Sequence, residues 1–163
     1  MAECSCIQGN YNFFAEAIDK DTIIYQDLSD WMDEEGYVYP TEYTVYITPP
    51  LSSTPREIVI QVGQLNRLTA NLIGAIKDGI YCFETESCGV SYKRSVAIFP
   101  YLRCCTKQAW ATLGIEWKEQ IEDVENHLKL AAINAELNNV QLASKELRFA
   151  KILLENIKCD CDC

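Results

Sequence analysis

The chain has 163 residues, 48% of them apolar, which is enough for one core or for a small β domain with a helical appendage. Its net charge of −10 argues against broad nucleic-acid or anionic-membrane binding, because both need a cationic surface. No apolar run approaches the ~18 residues of a membrane span, and the opening Met-Ala-Glu-Cys-Ser-Cys lacks the basic and apolar regions of a signal peptide.

Cys4 and Cys6 fall in a short N-terminal tail. Asn12 to Ile18 reads as a first strand or a short helix. Thr22 to Leu28 is β-branched and aromatic, a better strand, and ends at Ser29-Asp30. Trp31 to Gly36 reads as a polar acidic loop or one helical turn. In Tyr37 to Thr48, the residues Tyr43, Val45 and Ile47 alternate with Thr44, Tyr46 and Thr48, the period of a strand; Pro40 breaks the run. A Ser- and Thr-rich loop follows from Pro49 to Pro55. Ile58, Ile60 and Val62 alternate again, and Gly63 closes that strand. Leu65 to Ile76 is ambiguous between strand and helical turn. Asp78-Gly79 is a turn signal before a strand from Ile80 to Glu84, and Ser87-Cys88-Gly89 is another before Val90 to Phe99.

Pro100 suits the first position of a helix, having no N–H to satisfy, and Gly114 suits its stop. Gly114 to Lys158 reads as two helices folded back on each other. Trp117, Ile121, Val124, Leu128, Ala131 and Ala135 recur at spacings of four and three, as do Ala143, Leu147, Ala150, Leu154 and Ile157. Asn138 and Asn139 form the turn. Glu116, Glu119, Glu122 and Asp123 near one start, and Lys151 and Lys158 near the other end, are expected to complement the helix dipoles. The fold class is therefore α+β. A small antiparallel β-sandwich spans 1–99. A short helix and a long antiparallel helical hairpin span 100–163, with a Cys-rich C-terminal tail.

Candidate chemistry is concentrated in the cysteines. A chain kept in a reducing cytoplasm is expected to hold its nine cysteines as thiols or metal ligands. An antiparallel hairpin brings Cys159, Cys161 and Cys163 towards the short helix with Cys104 and Cys105. Five thiols would then share a neighbourhood where zinc needs four. The spacing argues against a zinc site, since a zinc knuckle places two residues between paired cysteines. The expectation is no metal and no cofactor, with these five the zinc candidates if there is one. Cys82 and Cys88 flank a turn and would pair only under oxidation; the default is two buried thiols. His127, the only histidine, falls at the flank of the seam, which leaves no Ser/His/Asp or Cys/His set in a pocket. A cysteine-dependent enzyme would need a low-pKa thiol.

Charge is unevenly spread. Asp27 to Glu42 holds six acids and no base: Asp27, Asp30, Asp33, Glu34, Glu35 and Glu42. Ser87 to Ile115 holds no acid but has Lys93, Arg94, Arg103 and Lys107. The acids lack the spacing of a calcium-binding loop. They read either as one of two solvated faces or as half of a complementary pair for head-to-tail self-association.

Three short runs carry resemblances. Asp78-Gly79-Ile80-Tyr81-Cys82 resembles the corner of an immunoglobulin-like sandwich, where a tyrosine hydrogen-bonds back across a loop; an ordinary hairpin is the alternative. The terminal Cys-x-Cys resembles the doubly prenylated tail of Rab-type GTPases, but their phosphate-binding loop is absent. Taken with Asp27-Leu28-Ser29-Asp30-Trp31, the Asp78–Cys82 run and the hairpin ending in Cys-Asp-Cys-Asp-Cys resemble the neck or tail ring proteins of tailed bacteriophages, in the style of the crAss-like phages. That resemblance implies a non-enzymatic virion protein assembled in the host cytoplasm. Its partners would be copies of itself in a ring and the neighbouring tail, neck or portal proteins. It implies no sequence-specific nucleic acid and no membrane. The rival reading is a cytoplasmic zinc-binding adaptor or regulator.

Overall fold

The computed structural model describes residues 6–32, 40–157 and 163. The chain divides into two compact units, Met1–Ile76 with Cys82–Arg94, and Lys77–Tyr81 with Ser95–Cys163. The fold is α+β, with strands first and helices after them.

The first unit is built from β1 (Cys6–Ile7), β2 (Phe13–Asp19), β3 (Thr22–Asp27), β4 (Trp31–Met32), β5 (Glu42–Thr48), β6 (Arg56–Gln61), β7 (Leu65–Thr69) and a single helical turn, α1 (Ala70–Ile73). Parts of β8 (Gly79–Ser87) and β9 (Val90–Ile98) complete it. Sheet orders are β1-β4, β2-β3-β7 and β6-β5-β8-β9. The alternation seen in the sequence is obeyed. Val45, Ile47, Ile58 and Ile60 are buried, while Tyr46 and Val59 between them are exposed. The two larger sheets face each other through an aromatic layer. The Phe13 ring stacks on Tyr25 at 4.7 Å, and both meet Phe83 of β8, at 4.7 and 5.8 Å.

Two local expectations are revised, an ambiguous one is resolved, and the turn at Ser87-Cys88-Gly89 is where it was expected. Trp31 does not open a helical turn: Trp31–Met32 is a short strand paired with β1, while 33–39 lie outside the described residues. Leu65 to Ile76 holds both of its alternatives in succession, β7 and then α1. Asp78-Gly79 is no hairpin turn, because no strand ends immediately before it. The two-residue hairpin is instead at Cys88-Gly89, where φ is 49° and 78°. Both residues in the left-handed region match the turn whose twist suits paired strands.

In the second unit, α2 (Pro100–Leu113) ends at Gly114, whose φ of 64° few other residues tolerate. A 3₁₀ turn (Gly114–Trp117) then leads into α3 (Lys118–Glu136), so the first hairpin helix starts four residues after the Gly114 bound and one after Trp117, the first residue of its stripe. Its partner is α4 (Val140–Asn156). Ile121, Val124, Leu128, Ala131 and Ala135 of α3, and Ala143, Leu147, Ala150 and Leu154 of α4, are all buried. Leu102 and Ala109 of α2 join the same core. Asn138, at φ 59°, makes the turn: its N–H donates to Ala135 O, and the N–H of Asn139 reaches back to Asn134 O. Those two bonds are a Schellman closure, which needs a left-handed residue and here takes Asn. Of the acids expected at the helix start, Glu119 lies in the first turn of α3; Lys151 does not lie in the last turn of α4, and Lys158 lies outside the described residues.

Candidate functional site

The cysteines are placed differently from the sequence expectation. Cys6 is disulfide-bonded to Cys88, and Cys104 to Cys163. Cys105 is also disulfide-bonded. This overturns the reading of a thiol set. Of Cys82 and Cys88, expected as two buried thiols, Cys82 is a free, half-buried cysteine and Cys88 is exposed and bonded to Cys6. The physical reason is proximity through the fold. Antiparallel pairing of β1 with β4, and a bond from the Ile7 N–H to Ser87 Oγ, bring Cys6 to the β8–β9 turn. The hairpin returns the C-terminus to α2. Cys104, Cys105 and Cys163 in this state offer no thiolate to zinc; Cys159 and Cys161 lie outside the described residues. Among the described residues no group of three or more His, Cys, Asp or Glu is placed to hold a metal ion. Burial pushes the Cys82 thiol up, with Glu84 adding and Lys93 opposing, the reverse of what an activated nucleophile needs.

The acidic and basic runs are partly consumed inside their own units. Asp27 is the end of a buried hydroxyl chain. The hydroxyls of Tyr11 and Tyr25 are 2.6 Å apart and those of Tyr25 and Tyr43 are 2.8 Å apart. Tyr43 donates to Asp27 Oδ1 at 2.8 Å, and Trp31 Nε1 donates to Oδ2 at 2.8 Å. One proton per phenol then fixes the direction, Tyr11 to Tyr25 to Tyr43 to Asp27. Burial raises all three phenol pKa values far above the ordinary range; the charge of Asp27 adds to each, while Arg94 beside Tyr11 and the hydroxyls that donate to Tyr25 and Tyr43 oppose the shift. Arg94 donates to Asn12 Oδ1 and Phe13 O and lies over the Phe13 ring at 4.7 Å. Glu42 accepts from Gln61 Nε2 at 3.0 Å. Asp33, Glu34 and Glu35 lie outside the described residues. The acid-free run is divided between the two units, Lys93 and Arg94 in the first, Arg103 and Lys107 in the second.

Asp78 caps α2 from a distance. Its two carboxylate oxygens accept the N–H groups of Tyr101 and Leu102 at 3.0 and 2.9 Å. The residue at the cap position, Phe99, has no side chain able to do so. Nearby, the Tyr81 hydroxyl accepts the N–H of Lys77 at 3.0 Å, the backward bond that its run resembles.

The hairpin also carries exposed apolar side chains. His127 Nδ1 meets Glu146 Oε2 across α3 and α4, and its ring lies 5.4 Å from Phe149. His127 thus marks the flank where the two helices meet. Leu130, Ile133 and Leu137 continue along α3 beyond it, and Leu142 and Phe149 share a side of α4 at a two-turn interval. All five are exposed, Leu137 the most at 65%. The spacing of three and four between Leu130, Ile133 and Leu137 is itself a second apolar stripe, visible in the sequence once the first is assigned to the seam. Comparison of the chain with protein families, curated proteins and solved structures finds no match.

Proposed function

We propose that the chain is a non-enzymatic structural subunit that assembles with copies of itself into a ring in the neck or tail of a tailed bacteriophage, joining portal to tail. The observation that supports this best is the combination of a β-sandwich unit with a helical hairpin that is clamped by a disulfide at one end and apolar on its outer flank at the other. Such a body suits a particle component that is built in a reducing cell and then survives outside it. After release, each pair of thiols passes two electrons and two protons to dissolved oxygen or to a small-molecule disulfide. A zinc-binding adaptor fits less well, because three of its five candidate ligands are already joined in disulfides.

The test is the size and shape of the purified full-length chain. Closed rings by negative-stain microscopy, with a mass that is an integral multiple of the 18.5 kDa protomer, are expected. A chain that stays monomeric at every concentration would overturn the proposal.

A further inference from the structure

The strand β1 is two residues long, yet it covers a buried tryptophan. Cys6 and Ile7 pair with Met32 and Trp31 of β4 in a sheet of two strands. Ile7 and Trp31 are almost fully buried, at 5 and 3% exposed. Hydrogen bonds help to hold the strand. The Ile7 N–H donates to Ser87 Oγ at 3.0 Å, the Tyr92 hydroxyl to Ile7 O at 3.3 Å, and the Gln8 N–H to Asp30 O at 2.7 Å. So short a pairing is marginal in water, because few bonds offset the lost backbone freedom. A covalent bond supplements it, from Cys6 to Cys88 in the β8–β9 turn. After β1, Gln8, Gly9 and Asn10 are all exposed, and the chain returns to the core only at Tyr11.

We infer that the Cys6–Cys88 bond is a redox-sensitive lock: its reduction lets β1 lift from β4 and uncovers Trp31, while the rest of the first unit stays folded. The chain beyond β1 has anchors of its own. The Tyr11 hydroxyl is bonded to that of Tyr25, and the Asn12 N–H donates to Ser29 Oγ. The aromatic layer of Phe13, Tyr25 and Phe83 includes no residue of β1. Gly9, at φ 95°, supplies a hinge in the exposed stretch between. A small-molecule thiol such as glutathione works the lock. Its thiolate attacks Sγ of Cys88, the more exposed residue of the pair; the S–S bond breaks, and Cys6 leaves as a thiolate that takes up a proton. A second thiolate attacks the sulfur of the first. This releases the small-molecule disulfide and the Cys88 thiolate, which is protonated in turn. Two small thiols are oxidised and one protein disulfide is reduced, and the same steps reversed close the lock. The free Cys82 cannot stand in for the external thiol. Six positions back along β8 and its turn, it is roughly 20 Å away at ~3.3 Å per residue. The lock needs no second copy of the chain, so it is independent of the ring reading.

The test is hydrogen exchange, read by mass spectrometry on the full-length chain below the melting temperature of its reduced form. It compares the oxidised chain, the chain in excess reduced glutathione, and an oxidised double variant, Cys6→Ser with Cys88→Ser, which keeps the Cys104–Cys163 bridge. Segments 6–8 and 31–32 are expected to exchange at least tenfold faster in both open forms, while β5 and β8 keep their protection. Glutathione disulfide should then restore slow exchange to the reduced wild type and not to the variant. Equal exchange of 6–8 in all three forms overturns the inference, because the hydrogen bonds alone then hold β1. Protection lost from β5 and β8 together with 6–8 overturns it too, since the bond is then a staple for the whole unit. A bond that glutathione leaves intact in the folded chain, or alkylation of both Cys6 and Cys88 in the oxidised chain, also overturns it.

Discussion

At the scale of single residues, buried polar groups decide more than the sequence pattern reveals. Tyr25 stands in the middle of the hydroxyl chain, accepting from Tyr11 and donating towards Tyr43. Tyr25→Phe strands the Tyr11 hydroxyl in a site that is 7% exposed, and is expected to cost about 1–3 kcal/mol in urea unfolding. An unchanged midpoint would show that water replaces the lost partner. Asp78→Ala removes the side-chain cap that holds the Tyr101 and Leu102 N–H groups of α2 and is expected to cost about 0.5–2 kcal/mol. Burial raises the Asp78 carboxyl above its ordinary value; the two backbone N–H bonds and the charge of Lys151 oppose that shift without cancelling it. The folded chain therefore holds this proton more readily than the unfolded chain does. Its contribution to stability is greatest below the ordinary carboxylate range and declines as pH rises through the raised value. Asp78→Asn removes that decline, so its stability should climb more steeply with pH across the same window, as thermal melts in acid would show. None of these partnerships is legible beforehand. A carboxylate 23 residues from the N–H it caps leaves no local signal.

At the scale of elements, the hairpin was the most readable part because one period governs it. Every seam residue proposed on α3 beyond the 3₁₀ turn is buried, as is every one on α4. Leu128→Ala is expected to cost roughly 2–5 kcal/mol, as for a large-to-small change in a packed core. A melting temperature equal to that of the wild type would place this residue outside the core that Leu147 and Leu154 share with it. The strands were readable for the same reason, their period of two. What escaped was the short and the composite. β4 is two residues long, too short for any period to show, and β7 passes directly into α1, so each blurs the other's pattern. The second stripe on the hairpin was spelled out as clearly as the first. Only burial tells the two rows apart, since the same period marks a core row and an exposed one.

At the scale of the whole molecule, cysteine connectivity is the feature that sequence alone leaves open, since pairing depends on which ends the fold brings together. The Cys6–Cys88 and Cys104–Cys163 bridges close loops with sequence separations of 82 and 59 residues. Loops of that length each restrict the unfolded chain by roughly 4 kcal/mol on a chain-entropy account. Addition of a strong reductant is therefore expected to lower the melting temperature clearly. Cys6→Ser with Cys88→Ser should reproduce one part of the loss and Cys104→Ser with Cys163→Ser another. Equal melts with and without reductant, together with full alkylation of the native chain, would show that the thiols are not joined.

The Cys104–Cys163 bridge has a further consequence. It links the start of α2 to the C-terminus, so the 3₁₀ turn, α3 and α4 lie inside one covalent ring. A proteolytic cut at Asn138 or Asn139, in the exposed turn, opens that ring without dividing the molecule. The nicked protein should run as a single full-mass species without reductant and as two fragments with it. Breakage of the backbone at the tip of the hairpin would thus leave the protein in one piece.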